Sequence, residues 1–158
     1  LVVLRLSKLT DYAVVVLARL EDAEDGGVLT APGLAASTGL AEPTVSKVLK
    51  ILAQRGLVEG RRGAAGGYRL ARPLAQVPLT DVITAIDGPI ALTACVDNSI
   101  GLCDAEATCP VRGRWDPVND AIRRALSGIS IADLAHAPAV VPHPEPAGRR
   151  QAVYAAAE

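Results

Sequence analysis

Methionine and phenylalanine are absent from the chain, and aromatic residues make up only 3% of it. A core without these large side chains has to be assembled from Ala, Val, Leu and Ile, which fill space in small increments. Cysteine is scarce as well. There are three in 158 residues, and with no methionine they are the only sulfurs. An odd set of three thiols excludes a fully paired disulfide framework and leaves metal binding or redox sensing. No apolar run reaches the roughly 18 residues needed to span a bilayer, because Arg19 and Asp87 interrupt the best candidates. A charged-then-apolar leader with a small-residue cleavage site is missing too. The expectation is a cytoplasmic protein with no membrane partner. An enzyme is not expected, since no nucleophile–base pair, phosphate loop or acid pair stands in a recognisable setting.

What is present is unevenly distributed. The net charge is −1, which by itself argues against nucleic acid. From Glu42 to Arg72, however, seven basic residues (Lys47, Lys50, Arg55, Arg61, Arg62, Arg69, Arg72) face two acidic ones (Glu42, Glu59). A local cationic patch matters more for phosphate binding than the global sum.

That patch falls on a recognisable pattern. Residues 7–21 read as a helix, with Leu9, Ala13, Val16, Leu17 and Leu20 at helical spacing. Its other side carries Val14, Val15 and Ala18, so it is expected to lie between two partners, one of them a second subunit. Asp11 lies roughly 200° round from Leu9 and so points away from its own core. A second helix over 30–38 has Thr30 as N-cap and Pro32 in its first turn. After the turn at Gly39, a third helix runs from Glu42–Pro43 to Gly56. It faces Val45, Val48, Leu49 and Leu52 inward and Pro43, Lys47, Lys50 and Gln54 outward. This is a helix-turn-helix pattern. Two short strands follow, 57–59 and 68–70, joined by a tip containing Arg61, Arg62, Gly63, Gly66 and Gly67. A thin basic hairpin of this kind fits a minor groove. The fold class expected is mainly α with a small β-hairpin wing.

Another helix is expected over 79–87, stopped by Gly88–Pro89. Asp116–Pro117 is expected to open a long helix as N-cap and first turn. Its stripe is Trp115, Val118, Ile122, Ala125, Leu126 and Ile129, with Arg123 and Arg124 outside, and residues 130–135 read as one more helical turn. Such a stripe suits homodimerisation, which would carry two recognition helices to half-sites on a double-stranded DNA operator. The expected organisation is a winged helix-turn-helix domain over 4–90, a cysteine loop over 91–112, a long dimerisation helix over 113–136 and a disordered Pro-rich tail over 137–158. His136 and His143, at the tail's start, are expected to be solvated. Nothing in the pattern speaks to a contact with RNA polymerase.

The cysteines are spaced Cys95-x7-Cys103-x5-Cys109. They lack the paired knuckles of a structural zinc site. Soft thiolates on a loop suit an iron–sulfur cluster, which normally takes four protein ligands. Asp97, Asp104 and Glu106 lie inside the loop without distinctive spacing, and Arg112 cannot ligate. Asp11, aimed at a neighbouring subunit, is the remote candidate. An oxygen ligand holds iron less firmly than thiolate, which suits a sensor.

The stretches LRLSKLTDYA, EPTVSKVLKIL, RGAAGGYRLARP, DGPIALTAC and CPVRGRW resemble the Rrf2 (BadM-type) family of winged-helix regulators. They are most similar to its branch of SUF-system iron–sulfur assembly regulators. The resemblance covers roughly residues 4–135. It implies a homodimeric DNA-binding repressor whose targets are cluster-assembly genes, with a cluster on Cys95, Cys103 and Cys109. It places recognition on Pro43, Thr44, Ser46 and Lys47, with Lys50 beside them, and the minor-groove contact on Arg61 or Arg62, with Gly66 and Gly67 shaping the wing. The chain departs from the family's histidine-ligated [2Fe–2S] pattern, which has x5 in the first gap and a histidine where Arg112 stands. The nitric-oxide-sensing branch takes an aspartate of the partner chain from a motif similar to LTD, on which Asp11 falls. A [4Fe–4S] cluster with Asp11 in trans is therefore preferred. The alternatives are a zinc- or thiol-switched regulator without a cluster, and an interaction module that does not bind DNA.

Overall fold

The computed structural model describes residues 5–23, 27–93, 96 and 108–136. Helix α1 (Lys8–Glu21) begins at Ser7, whose hydroxyl accepts the Thr10 N–H. Helix α2 (Ala31–Thr38) begins at Thr30, which caps the Gly33 N–H, and ends at Gly39 with φ of 72°. That left-handed residue is where the chain turns into α3 (Glu42–Gln54), and a side chain there would be strained. The buried side of α3 is Val45, Val48, Leu49 and Leu52, as the period requires. Strands β1 (Val58–Arg61) and β2 (Gly67–Leu70) pair antiparallel, with Val58 opposite Leu70 and Arg61 opposite Gly67. Toward the tip the first strand thus runs two residues further, and the second one residue further, than the sequence pattern indicates, and the first strand starts one residue later.

A single-residue bridge adds a third line to the wing. The Leu29 N–H donates to the Tyr68 carbonyl at 2.9 Å, and the Tyr68 N–H donates to the Leu29 carbonyl at 2.8 Å. Helix α4 (Leu79–Ile86) then returns the chain to the core. The core is aliphatic throughout. Leu17, Leu34, Leu49, Leu52, Leu74, Val77, Val82 and Ile131 are fully buried. None of the described helices is long and apolar enough to cross a membrane.

The region 113–136 differs from the expected single long helix. It forms α5 (Asp116–Ser127) and, after a break at Gly128–Ser130, the short α6 (Ile131–Ala135). The break has a local cause. Ser130 accepts the Asp133 N–H, and the Asp133 carboxylate accepts the Ser130 N–H at 2.8 Å, a capping box that starts a new helix. It also has a tertiary cause. The Ile131 N–H donates to the Val77 carbonyl and the Leu79 N–H to the Ile129 carbonyl, which pins the break to the start of α4. Trp115 rather than Asp116 occupies the cap position of α5, with no side-chain bond, and Pro117 sits in the first turn.

Helix α6 packs back on α1. Part of α1's second apolar side, Val14, Val15 and Ala18, therefore borders a cleft shared with Leu134, Ala135 and His136 of the same chain. His136 is not merely solvated, since its Nε2 lies 2.7 Å from Glu21 Oε2. His143 and the tail over 137–158 lie outside the described residues.

Candidate functional site

Helix α3 and the wing build one basic face. Pro43, Ser46, Lys47 and Lys50 are exposed along α3, with Thr44 half-buried among them. Arg61 and Arg62 are exposed at the wing, and Gly66 and Gly67 are half-buried beneath them. Between the two elements lies a cleft of ≈ 500 Å³, bordered by Lys50 and Gln54 on one side and by Arg61, Arg62 and Tyr68 on the other. Ala41 caps α3 without a side-chain hydrogen bond. Pro43 has no N–H, and the Thr44 and Val45 N–H groups donate to the Ala41 carbonyl at 2.9 and 3.1 Å, so the basic side chains rather than the helix start supply the phosphate-binding character of this face.

Not all seven basic residues contribute to this face. Arg69 donates to Glu59 Oε2 through Nε at 2.9 Å and Nη2 at 2.6 Å, across the register pair Glu59–Arg69. Arg72 donates to Asp81 Oδ2 at 2.6 Å. Among the described residues no hydrogen bond or ion pair engages the side chains of Lys47, Lys50, Arg61 or Arg62. Of the seven, Lys47, Lys50, Arg61 and Arg62 therefore supply the unpaired charge on this face.

Of the four expected cluster ligands, Asp11 and Cys109 are described, while Cys95 and Cys103 lie outside the described residues. Cys109 is half-buried. Asp11 is exposed on the first turn of α1, on the side it shares with Val15 and Ala18. Among the described residues no three His, Cys, Asp or Glu side chains are grouped to hold a metal ion.

The base of the cysteine segment is fastened by a residue that the sequence reading passed over. Asn119 of α5 is fully buried. Its Oδ1 accepts the Leu92 N–H at 3.1 Å, and its Nδ2 donates to the Ile90 carbonyl at 2.9 Å. The chain just before Cys95 is thereby tied to the helix that follows Cys109. One signal was available: residues 115, 119, 122 and 126 fall on one helical stripe, and a lone amide in such a stripe asks for backbone partners. Further out on α5, Trp115 and Val118 are 41% and 45% exposed, and beyond its end Ile129 is 37% exposed.

Asp87 ties the other end of this region to α1. Its Oδ2 accepts the Thr10 hydroxyl at 2.7 Å and the Ser7 N–H at 3.2 Å. Burial raises its pKa, but the hydrogen bonds from Ser7 and Thr10 outweigh that effect and hold the carboxyl below the usual aspartate range. With the folded pKa depressed, the stabilisation is complete above that range and is lost as the pH falls through and below it. Asp87 is exposed, so water weakens the contribution to on the order of 0.5–1 kcal/mol. Urea unfolding of the wild type and of Asp87→Asn is expected to show a gap at neutral pH that closes toward about pH 2. A gap that persists in acid would refute the carboxylate's role.

The Rrf2 family, described as an iron-dependent transcriptional regulator, matches residues 6–137. The chain belongs to the Rrf2 family. An HTH-type transcriptional regulator of Mycobacterium tuberculosis is 33% identical to this Rrf2 protein over 135 residues, 84% of this chain and 81% of that one. Among solved structures, CymR, the global cysteine regulator of B. subtilis, is similar at a TM-score of 0.63 and 26% identity, covering 84% of this chain and 96% of that one. IscR of T. potens is similar at a TM-score of 0.59 and 26% identity, covering 83% and 85%. This Rrf2 protein is thus a winged-helix DNA-binding transcriptional regulator and not an enzyme. An interaction module that does not bind DNA gives way to this assignment.

Proposed function

We propose that this Rrf2 protein is a homodimeric repressor of iron–sulfur assembly genes that reads cluster occupancy. Cys95, Cys103 and Cys109 would hold the cluster, with Asp11 of the partner subunit as fourth ligand and [4Fe–4S] preferred to [2Fe–2S]. Three thiolates and a carboxylate are a fitting donor set, soft where the iron must be held and hard where it must be lost. When bound, such a cluster supplies iron that oxidants and nitric oxide attack.

The observation that carries the reading is the Asn119 clamp. It ties the backbone at residues 90 and 92 to α5, so any ordering of the cysteine segment is passed to the helix whose outer face suits a dimer. The spacing of two wings then depends on how α5 is held, and occupancy shifts operator affinity only through its different fit to the two arrangements. Exposure of Asp11 on α1, away from its own core, supports a ligand given to a partner. On the DNA side, Pro43, Thr44, Ser46, Lys47 and Lys50 would enter the major groove, and Arg61 or Arg62, held by Gly66 and Gly67, the minor groove. The units supporting this are the winged helix over 4–90, the cysteine segment over 91–112 and α5 beyond it. A cytoplasmic location follows from this role.

The likeness to the cysteine regulator CymR favours a second reading, a thiol- or zinc-switched regulator without a cluster. Anaerobic purification separates the two. Visible absorbance with iron and sulfide in stoichiometric ratio is expected. It should vanish in Cys95→Ser, Cys103→Ser and Cys109→Ser and persist with faster loss in air for Asp11→Ala. Colourless protein with one zinc per chain would establish the second reading instead.

A further inference from the structure

A second cleft, of ≈ 650 Å³, lies between α5 and the DNA-reading unit and shares no lining residue with the cleft under the wing. Four guanidinium groups border it. Arg55 follows the last turn of α3, Arg72 follows the wing, and Arg123 and Arg124 come from α5. Thr80 and Thr84 of α4 and Ser127 of α5 line it too, the Ser127 hydroxyl donating to the Arg124 carbonyl at 3.0 Å. The two carboxylates in the lining, Asp81 and Asp120, leave it with a net positive charge. Asp81 is already taken up by Arg72 Nη2 at 2.6 Å, while Arg72 Nε is buried with no hydrogen-bond partner. Among the described residues no hydrogen bond or ion pair engages the side chain of Arg55 or Arg124.

A buried guanidinium N–H left without an acceptor is costly, and the walls around it offer donors. The missing component is an acceptor-rich anion. Guanidinium forks match carboxylate and phosphate oxygens in pairs, and the volume lies within the usual range for a small-molecule site, roughly 300–1,000 Å³. We propose that this cleft binds a small multivalent oxyanion, a phosphorylated or polycarboxylate metabolite, bridging α5 to the end of the recognition helix. Double-stranded DNA is the less favoured occupant. Arg55 lies within about 20° of the buried Val48 around α3 and roughly 140° from Lys50, so it is turned from the basic face. One wall is α5 and the other is α3 and α4. A bound anion therefore favours the arrangement in which those walls are close, giving the regulator an input independent of the cysteines.

The test is calorimetric titration of the full-length protein, at low salt, with pyrophosphate and separately with citrate, using acetate as a monovalent control. At least one multivalent probe is expected to bind, and which of them binds more tightly separates a phosphorylated from a polycarboxylate ligand. The Arg55→Gln/Arg124→Gln double variant should bind at least tenfold more weakly, with an unchanged melting transition confirming its fold. Lys8→Gln, which removes an exposed charge elsewhere, should bind as the wild type does. The proposal is overturned if neither probe gives heat up to millimolar concentration, or if Lys8→Gln weakens binding equally. It is also overturned if the double variant keeps anion binding but loses DNA affinity with a shallower salt dependence, which would make the cleft a phosphate contact.

Discussion

Asn119→Leu is expected to unfold at distinctly lower denaturant than the wild type, by about 2–4 kcal/mol, although it restores the volume of the side chain. The reason is what the amide leaves behind. The Leu92 N–H and the Ile90 carbonyl both end on Asn119, whose side chain is fully buried. A leucine there fills space but satisfies neither group, and each stranded polar group costs roughly 1–3 kcal/mol. Asn119→Ala adds a cavity to the same loss, so the difference between the two variants isolates the packing share. Asn119→Asp keeps an acceptor for Leu92 but sets an oxygen against the Ile90 carbonyl, and should fall well below the wild type at neutral pH. Equal stability of Asn119→Leu and wild type would show that the clamp is incidental. The same variants bear on function. If residues 90 and 92 carry the cysteine segment's order to α5, cluster yield after reconstitution should fall in Asn119→Leu with all three cysteines intact. If the yield is unchanged, the segment is held by other means.

How far such features were visible in the residues depends on their range. Helix α3 was legible because Val45, Val48, Leu49 and Leu52 repeat at its period and Gly56 ends it. The wing was legible because its glycines sit between two short β-prone runs. Its exact extent was not, since pairing of Arg61 with Gly67 is settled by the geometry of the turn. The Leu29–Tyr68 bridge was invisible, because one residue cannot display an alternation. The neutralised arginines divide the same way. Glu59–Arg69 follows at once from the hairpin register, whereas Arg72–Asp81 joins two elements whose approach no local pattern specifies.

The region after Trp115 was misread for a different reason. The apolar stripe runs on through Ile129, which suggested one continuous helix. The capping signal Ser130-x-x-Asp133 was present, and Gly128 just precedes it. The further helical turn expected at 130–135 is present, but as a separate helix: in the fold the cap prevails over the stripe, because Ile131 gains a fully buried place beside Val77. For the candidate site, basic residues and cysteines were legible as residue types with a spacing, while Asn119 was hidden because its role consists entirely of bonds to distant backbone.

The wing offers the second large effect, and it requires no change of charge. A Cβ placed on Gly66 would sit 2.5 Å from the Arg61 carbonyl oxygen, 2.8 Å from the Gly63 carbonyl oxygen and 3.1 Å from the Arg62 carbonyl carbon. All three are backbone atoms, so no flexible side chain can swing aside. Gly66→Ala must open the tip and move Arg61 and Arg62, which flank the cleft facing α3. The core does not reach the tip, so the stability cost should stay near about 1 kcal/mol. Affinity for an operator fragment selected from random-sequence DNA should fall at least tenfold, because two phosphate- or groove-directed charges lose their register together. Arg61→Ala supplies the comparison. It removes one cation without moving the backbone, so its salt slope should drop by about one counterion, whereas Gly66→Ala should lose affinity for the selected fragment more than for random DNA. Gly67→Ala meets the Leu29 carbonyl oxygen at 2.7 Å and strikes the bridge that anchors the wing, so it should lose both affinity and stability. If Gly66→Ala instead binds the operator as tightly as the wild type, the wing's arginines do not read DNA, and recognition rests on α3 alone.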